Sequence, residues 1–178
     1  MMVCSSTLEL VCANIYQDVG QSINPAIDYG QIEGAFVQGQ GLFTIEETLW
    51  TRSGELATRG PGTYKIPGFS DIPQQFNVSM LRHDARGQPL TWKHLRTIQS
   101  SKGVGEPPLF LGSTVFFALR EAVRSARIMN RCSEKGSGFT LDSPATAERL
   151  RMAVGDRLSK QAQVTAKEGE TGFFVSVA

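Results

Sequence analysis

The stretch Gly103-Val-Gly-Glu-Pro-Pro108 constrains this chain more than any other, because its two prolines leave the backbone few conformations. Proline fixes its own φ angle and disfavours the helical region for the residue before it. We therefore expect Glu106 to be extended, just outside a helix that begins at Pro107, where proline is well tolerated. The residues that follow, 109–127, are apolar with few interruptions and predict one long helix.

A single carboxylate in this place has two interpretations. In the structural one, Glu106 only complements the positive end of the helix dipole, as acidic residues near helix starts commonly do. In the functional one, Glu106 is a rigidly held general base, and the flanking glycines let another group approach closely. The spacing alone favours the structural interpretation.

A second glycine-rich segment lies earlier in the chain. Asn24 as a side-chain N-cap and Pro25 at the first helical position predict a helix that runs to about Glu47. It contains four glycines, at positions 30, 34, 39 and 41, and each costs roughly 1 kcal/mol relative to alanine. Glycines 30, 34 and 41 share one face, beside a stripe that includes Gln31 and Gln38. Such a face suits close helix packing, which the pattern alone favours, or the approach of a flat ligand.

The remaining pattern predicts an α+β fold, with two long helices packed against several short strands. The shorter elements are two strands within 7–19 that join near Ala13-Asn14, a strand over Phe76 to Leu81, a strand over Phe139 to Leu141, and a helix from Ser143-Pro144 to about Val154. We expect one domain over 1–178. Its polar tail, 159–178, is expected to be loosely ordered, with Phe173 to Val177 docking as a strand or fraying.

Charge and cysteine content exclude several classes of function. Lys and Arg number 18 against 17 Asp and Glu, for a net charge of +1, so no basic surface for nucleic acid or an anionic membrane is expected. Three scattered cysteines form no CxxC pair and favour a reducing compartment over a disulfide framework. The two histidines, His83 and His94, are far apart, so we expect no metal site built by this chain alone. Without a basic leader or an apolar span, the chain is expected to be an intracellular protein.

Four segments in order resemble the C-terminal part of xanthine dehydrogenase, a molybdenum hydroxylase related to the aldehyde oxidases. They are NPAIDYGQIEGAFVQGQGLFTIEE from residue 24, TRGPGTYKIP from 58, VGEPPLFLGSTVFFALREAVRSAR from 104 and LDSPATAERLRMA from 141. Together they cover much of the chain. Residues 82–99 depart from the family pattern and lie close to the GEPP motif.

The resemblance implies a role for two residues. Glu106 matches the glutamate of the GEPP motif, which in the family is the base that deprotonates the hydroxyl group on molybdenum. Gln31 matches the glutamine that contacts the pterin of the molybdenum cofactor. The implied fold is part of a larger molybdopterin-binding domain, and the implied iron–sulfur clusters and FAD belong to other parts of the enzyme. No metal ligand is expected from these 178 residues.

The implied reaction is the hydroxylation of hypoxanthine or xanthine with oxygen from water. Pro107-Pro108 favours this over an aldehyde oxidase-type activity, which stays an alternative. The implied partners are a purine substrate, the remaining domains of the enzyme and a second copy in a homodimer, in the cytoplasm or alternatively the peroxisome. A different class of function also stays open: a truncated, non-catalytic remnant or a pterin-binding module. We expect the isolated chain to be catalytically inactive.

Overall fold

The computed structural model describes residues 2–3, 10–82, 86–87, 98, 100–132 and 138–162. These residues form a mixed helix and strand structure, which confirms the predicted α+β class. The strands are β1 (Met2–Val3), β2 (Leu10–Gln17) and β3 (Gln75–Met80). The helices are α1 (Pro25–Thr44), α2 (Glu106–Leu111), α3 (Ser113–Met129), α4 (Ala147–Val154) and α5 (Arg157–Ala162), and a 3-10 turn covers Phe69–Asp71.

The three described strands form one sheet in the order β1-β2-β3. β1 is antiparallel to β2, whereas β3 is parallel to β2 and follows it after α1. The predicted join near Ala13-Asn14 is wrong, because both residues lie inside β2 and pair with Phe76 and Asn77 of β3. Ala13 is buried and Asn14 exposed, as alternation in one strand requires. The pairing comes from a distant strand, which no local pattern reveals.

Helix α1 begins as predicted and ends slightly earlier. The side chain of Asn24 accepts a hydrogen bond from the Ala26 N–H at 3.1 Å, which confirms the N-cap. The helix ends at Thr44 rather than Glu47, because the N–H groups of Ile45 and Glu46 both bond to the Gly41 carbonyl and close the last turn. Its inner face packs on the sheet, where the Phe36 and Phe76 ring centroids lie 5.4 Å apart.

The predicted long helix after Pro107 is two helices, interrupted at Gly112. The Gly112 N–H bonds to the Leu109 carbonyl only three residues back, at 3.2 Å. At this point the backbones of α1 and α2 touch. A Cβ atom on Gly112 would lie 2.7 Å from Gly39 Cα, and one on Gly39 would lie 2.8 Å from the Leu109 carbonyl carbon. Neither position has room for a side chain.

Helix α3 adds the central stripe of the core. Val115, Leu119 and Val123 recur every fourth residue and are all buried. Beyond this stripe, the Arg127 guanidinium donates to the Ala153 carbonyl at 2.8 Å and the Val154 carbonyl at 3.1 Å, and so stabilises the end of α4.

The segment 139–146 differs from its prediction. No strand forms over Phe139 to Leu141, which instead packs its apolar side chains at the edge of the core. The predicted helix start at Ser143-Pro144 is also wrong, since α4 begins at Ala147 with Thr146 as N-cap. The Ala145 N–H bonds to the Phe43 carbonyl of α1 at 2.8 Å, which holds this segment against α1. The end of α4 at Val154 is confirmed.

The first residues of the predicted tail, 159–162, belong to α5, and Ser159 is buried. Residues 163–178, with the predicted strand over Phe173 to Val177, lie outside the described residues, as do residues 7–9 and most of the atypical segment 82–99. The single domain over 1–178 stays a prediction. In the described part of the chain, no helix combines the length and apolar character needed to cross a membrane.

Asp156 stabilises the turn between α4 and α5, and its effect should depend on pH. Hydrogen bonds from the Ser159 N–H and the Arg151 guanidinium lower the pKa of Asp156 from 3.8 to about 2. A carboxylate whose pKa is lower in the folded protein stabilises the fold at pH values above the pKa of the unfolded chain. This stabilisation is lost as the pH falls through the pKa of the folded protein. We expect Asp156→Ala to lower the melting temperature at neutral pH, with the difference vanishing as the pH falls from 3.8 to about 2. Asp142→Ala, an exposed carboxylate, is the control. A difference that is the same at all pH values would contradict this role.

The helix crossing predicts opposite effects for two glycines of α1. Gly39→Ala should destabilise the fold by on the order of 3 kcal/mol, because the added methyl forces two backbones apart. Gly34 has nothing within 4 Å of its Cβ position, so Gly34→Ala should stabilise the helix by up to about 1 kcal/mol. Urea unfolding of the two variants measures both changes. Equal effects would refute the close crossing.

Candidate functional site

The loop before α2 is fastened to the end of β2. Val104 is buried, and its carbonyl accepts a hydrogen bond of 2.9 Å from the Gln17 side-chain amide. The Lys102 ammonium donates to the Val19 carbonyl in the opposite direction. These contacts place the glycines at 103 and 105 against α1, where the Gln31 Oε1 lies 3.2 Å from the Cβ position of Gly105.

Glu106 is the first residue of α2, so the prediction that it is extended and outside the helix is wrong. The residue before it, Gly105, already has helical angles, with φ −77° and ψ −18°. A following proline only disfavours the helical region, and here the fully buried Pro108 seats the first turn of α2 in the protein interior. The carboxylate still lies at the positive end of a helix, as expected.

The structure brings Gln31 and Glu106 into the same cavity, although they are far apart in sequence. The cavity has a volume of about 430 Å³ and lies between α1 and the segment 102–109. Both side chains are exposed. Within the ranges the structure describes, neither side chain has a hydrogen-bond partner, so both can bind a ligand.

The predicted glycine face of α1 divides into two parts. Gly30 and Gly34 line the cavity, and nothing lies within 4 Å of their Cβ positions. Gly41 instead packs on Pro67, whose Cδ would lie 2.6 Å from an added Cβ. The tightest packing is at Gly39, which the sequence pattern did not assign to this face. The open half therefore forms a shallow, flat wall, and the packed half sets its distance from α2.

The polar groups of the cavity suit a flat, polar ligand. The carboxamides of Gln31 and Gln38 each carry a donor and an acceptor, which can pair with the edge of a heterocycle. Glu106 is the one carboxylate among the described lining residues. It can accept a proton from a reacting group, but the described residues contain no group of three or more His, Cys, Asp or Glu side chains that could hold a metal ion. Any metal here must therefore come with a cofactor or take its ligands from elsewhere.

Sequence reasoning missed three residues that shape this site. Gly112 lay inside an apparent helix, and nothing marked it as the point of contact with Gly39. Gln17 stood in a strand pattern, where a polar residue usually faces solvent. Lys102 adjoins the recognised motif, but its partner, the Val19 carbonyl, is distant in sequence.

A family described as the molybdopterin cofactor-binding domain matches residues 6–73. Among curated proteins, a nicotinate hydroxylase of Emericella nidulans is 60% identical over 174 residues, which are 98% of this chain and 11% of the relative. A xanthine dehydrogenase of the same organism is 55% identical over 93% of this chain and 12% of the relative. The xanthine dehydrogenase of Blastobotrys adeninivorans is 58% identical over 92% of this chain and 11% of the relative. The chain spans about a tenth of the length of these relatives.

Solved structures share the fold. Quinoline 2-oxidoreductase from Pseudomonas putida 86 superposes with a TM-score of 0.62 at 23% identity, over 87% of this chain and 18% of that one. A reconstituted CO dehydrogenase from Oligotropha carboxidovorans superposes with a TM-score of 0.54 at 21% identity, over 84% of this chain and 16% of that one. In each case the chain matches only a part of a larger protein.

Proposed function

Because this chain belongs to the molybdenum hydroxylase family that includes the xanthine dehydrogenases, we propose that it forms one wall of the molybdopterin site and supplies the general base. The observation that carries this proposal is the shared cavity of Gln31 and Glu106. Gln31 and Glu106 belong to two separate sequence motifs that lie far apart in the chain. A residue that binds the cofactor and a residue that removes a proton must border the same cavity, and α1 and α2 bring Gln31 and Glu106 together in this way.

The residues of the cavity fit such a cofactor. Gly30 and Gly34 leave open space that a Cβ would fill, so a flat ring system can lie against α1. Gln31 would hold such a ring system through the donor and the acceptor of its amide group. When bound, molybdenum-molybdopterin supplies the oxygen transfer and takes up the electrons of the oxidation.

Glu106 acts as the proton acceptor. Its carboxylate is exposed and has no competing hydrogen-bond partner in the described structure. General base catalysis requires hydrogen-bond reach to the proton that is removed. The contact between Gly39 and Gly112 fixes α2 on α1 and so holds Glu106 at a set distance from the cofactor.

The proposed substrate class is a nitrogen heteroaromatic compound that is hydroxylated at carbon. Hypoxanthine or xanthine is our first candidate, from the Glu106-Pro107-Pro108 motif and two xanthine dehydrogenase relatives above 50% identity. Nicotinate is the second, because a nicotinate hydroxylase is 60% identical over nearly the whole chain. An aldehyde oxidase-type activity is a weaker alternative, since its usual residue pair after the glutamate differs.

The remaining parts of the enzyme are proposed partners. They would contribute the iron–sulfur clusters, FAD and the substrate-binding side chains, within a homodimer in the cytoplasm or alternatively the peroxisome. One base and one pterin contact cannot hold a cofactor shared among several domains, so we propose that the 178-residue chain alone is inactive. Purine- or nicotinate-dependent dye reduction by the purified chain would contradict this. A non-catalytic remnant or pterin-binding module stays the alternative from another class.

Removal of the carboxylate should abolish turnover without emptying the site. In the molybdenum-loaded native protein that contains this chain, we expect Glu106→Gln to lower kcat by roughly 10²- to 10⁴-fold. Molybdenum content should stay at the wild-type level, because the amide keeps the shape of the side chain. Steady-state kinetics and metal analysis of the same samples give both values. Glu148→Gln, an exposed glutamate on α4, is the control, and wild-type turnover by Glu106→Gln would place the base elsewhere.

Truncation of Gln31 should have the reverse effect. We expect Gln31→Ala to reduce the molybdenum and pterin that remain bound after purification, since the variant loses both the donor and the acceptor. The rate per bound molybdenum should change little, because Gln31 takes no part in proton transfer. Metal analysis and pterin fluorescence measure the retained cofactor, with Gln74→Ala as the exposed control. Full occupancy in Gln31→Ala would argue against a pterin contact.

A further inference from the structure

We propose that Gln17 and Lys102 are positioning residues that hold Glu106 at the cavity, an inference that rests on the proposed role of Glu106. Two hydrogen bonds cross between the end of β2 and the loop that precedes α2. The Gln17 amide donates to the Val104 carbonyl at 2.9 Å, and the Lys102 ammonium donates to the Val19 carbonyl. We call this pair of bonds the loop clamp.

The two bonds of the loop clamp are reciprocal, since each segment supplies one side-chain donor and one backbone acceptor. Each bond runs from a side chain of one segment to the backbone of the other, so residues 17–19 and 102–104 are tied at both ends. The two residues whose carbonyls accept these bonds, Val19 and Val104, are both buried, at 9% and 4% exposure. The loop therefore cannot slide along β2 without breaking a hydrogen bond and exposing apolar surface.

Gly20 forms the turn that follows Val19, next to the lysine half of the clamp. Its φ of +61° is a left-handed conformation that L side chains rarely adopt. A Cβ on Gly20 would lie 3.4 Å from the Lys102 Nζ. That distance is an ordinary van der Waals contact, so the turn requires glycine for its backbone conformation and not for lack of room.

The loop needs a clamp because its own sequence is flexible. Gly103 and Gly105 carry no side chain to restrict the backbone, yet Glu106 follows Gly105 directly. In the described structure, Val104 is held from the β2 side by Gln17, while Gly105 faces Gln31 on the cavity side. A shift of the Val104 carbonyl would move the carboxylate relative to the bound cofactor, and small displacements of a reacting group reduce rates strongly.

The test uses two clamp variants with matched controls in the molybdenum-loaded native protein that contains this chain. Gln17→Leu and Lys102→Met remove the donors and keep similar side-chain volumes. Gln40 and Lys65 also donate side-chain bonds to backbone carbonyls, to Asp71 at 2.7 Å and, in an exposed and local bond, to Pro61 at 2.9 Å. Gln40→Leu and Lys65→Met therefore control for the loss of such a bond outside the loop.

Hydrogen exchange of the peptide that covers residues 100–111 reports on the loop directly. We expect exchange about fivefold to tenfold faster in Gln17→Leu and Lys102→Met, and unchanged in the two controls. Lys102→Arg keeps a donor for the Val19 carbonyl and should restore most of the protection. Unchanged exchange in both clamp variants would overturn the proposal.

Kinetics separates positioning from simple stability. The clamp variants should lose about tenfold in kcat, with KM within twofold and molybdenum content unchanged. Faster loop exchange with wild-type kcat would refute the positioning role. The two possible failures can be told apart. Full turnover by Glu106→Gln would refute the proposed base. Unchanged loop exchange in the clamp variants would refute the clamp.

Discussion

The backbone contact between Gly39 on α1 and Gly112 after α2 is the constraint on which the site depends. Side chains at either position would separate the helices, because the added Cβ atoms would lie within 2.8 Å of backbone atoms across the contact. Gln31 lies eight residues before Gly39, or about 12 Å along the helix. Glu106 lies only three residues before Leu109, which contacts Gly39. Because neither glycine carries a side chain, this crossing sets the distance between the part of α1 that carries Gln31 and the Glu106 carboxylate.

Around this crossing, the glycines of α1 have two separate tasks. Gly39 and Gly41 allow neighbouring backbone and proline atoms to approach, whereas Gly30 and Gly34 face open space in the cavity. All four glycines lower the intrinsic stability of the helix. Two of them permit close packing, and the other two leave the cavity wall open. A nicotinate hydroxylase and a xanthine dehydrogenase match the segment at 60% and 55% identity, so the resemblance of the segment does not distinguish between these two relatives.

Sequence reasoning predicted the features that depend on local chemistry. The Asn24 cap and the strand near Phe76 follow from capping and alternation, and the structure confirms them. Features decided by distant contacts could not be predicted. The unbroken β2 depends on pairing with β3, the interruption at Gly112 depends on Gly39, and the late start of α4 depends on the Phe43 carbonyl. For the site, Gln31 and Glu106 were proposed from their motifs, while the loop clamp required the fold.

The most direct test of the central claim is a crystal structure of the molybdenum-loaded native protein that contains this chain. We predict pterin density against Gly30 and Gly34, with the Gln31 amide in hydrogen-bond contact with the ring edge. The Glu106 carboxylate should face the bound cofactor from the start of α2, directly after the loop held by Gln17 and Lys102. A pterin bound away from α1, or a Glu106 side chain directed out of the cavity, would contradict the account.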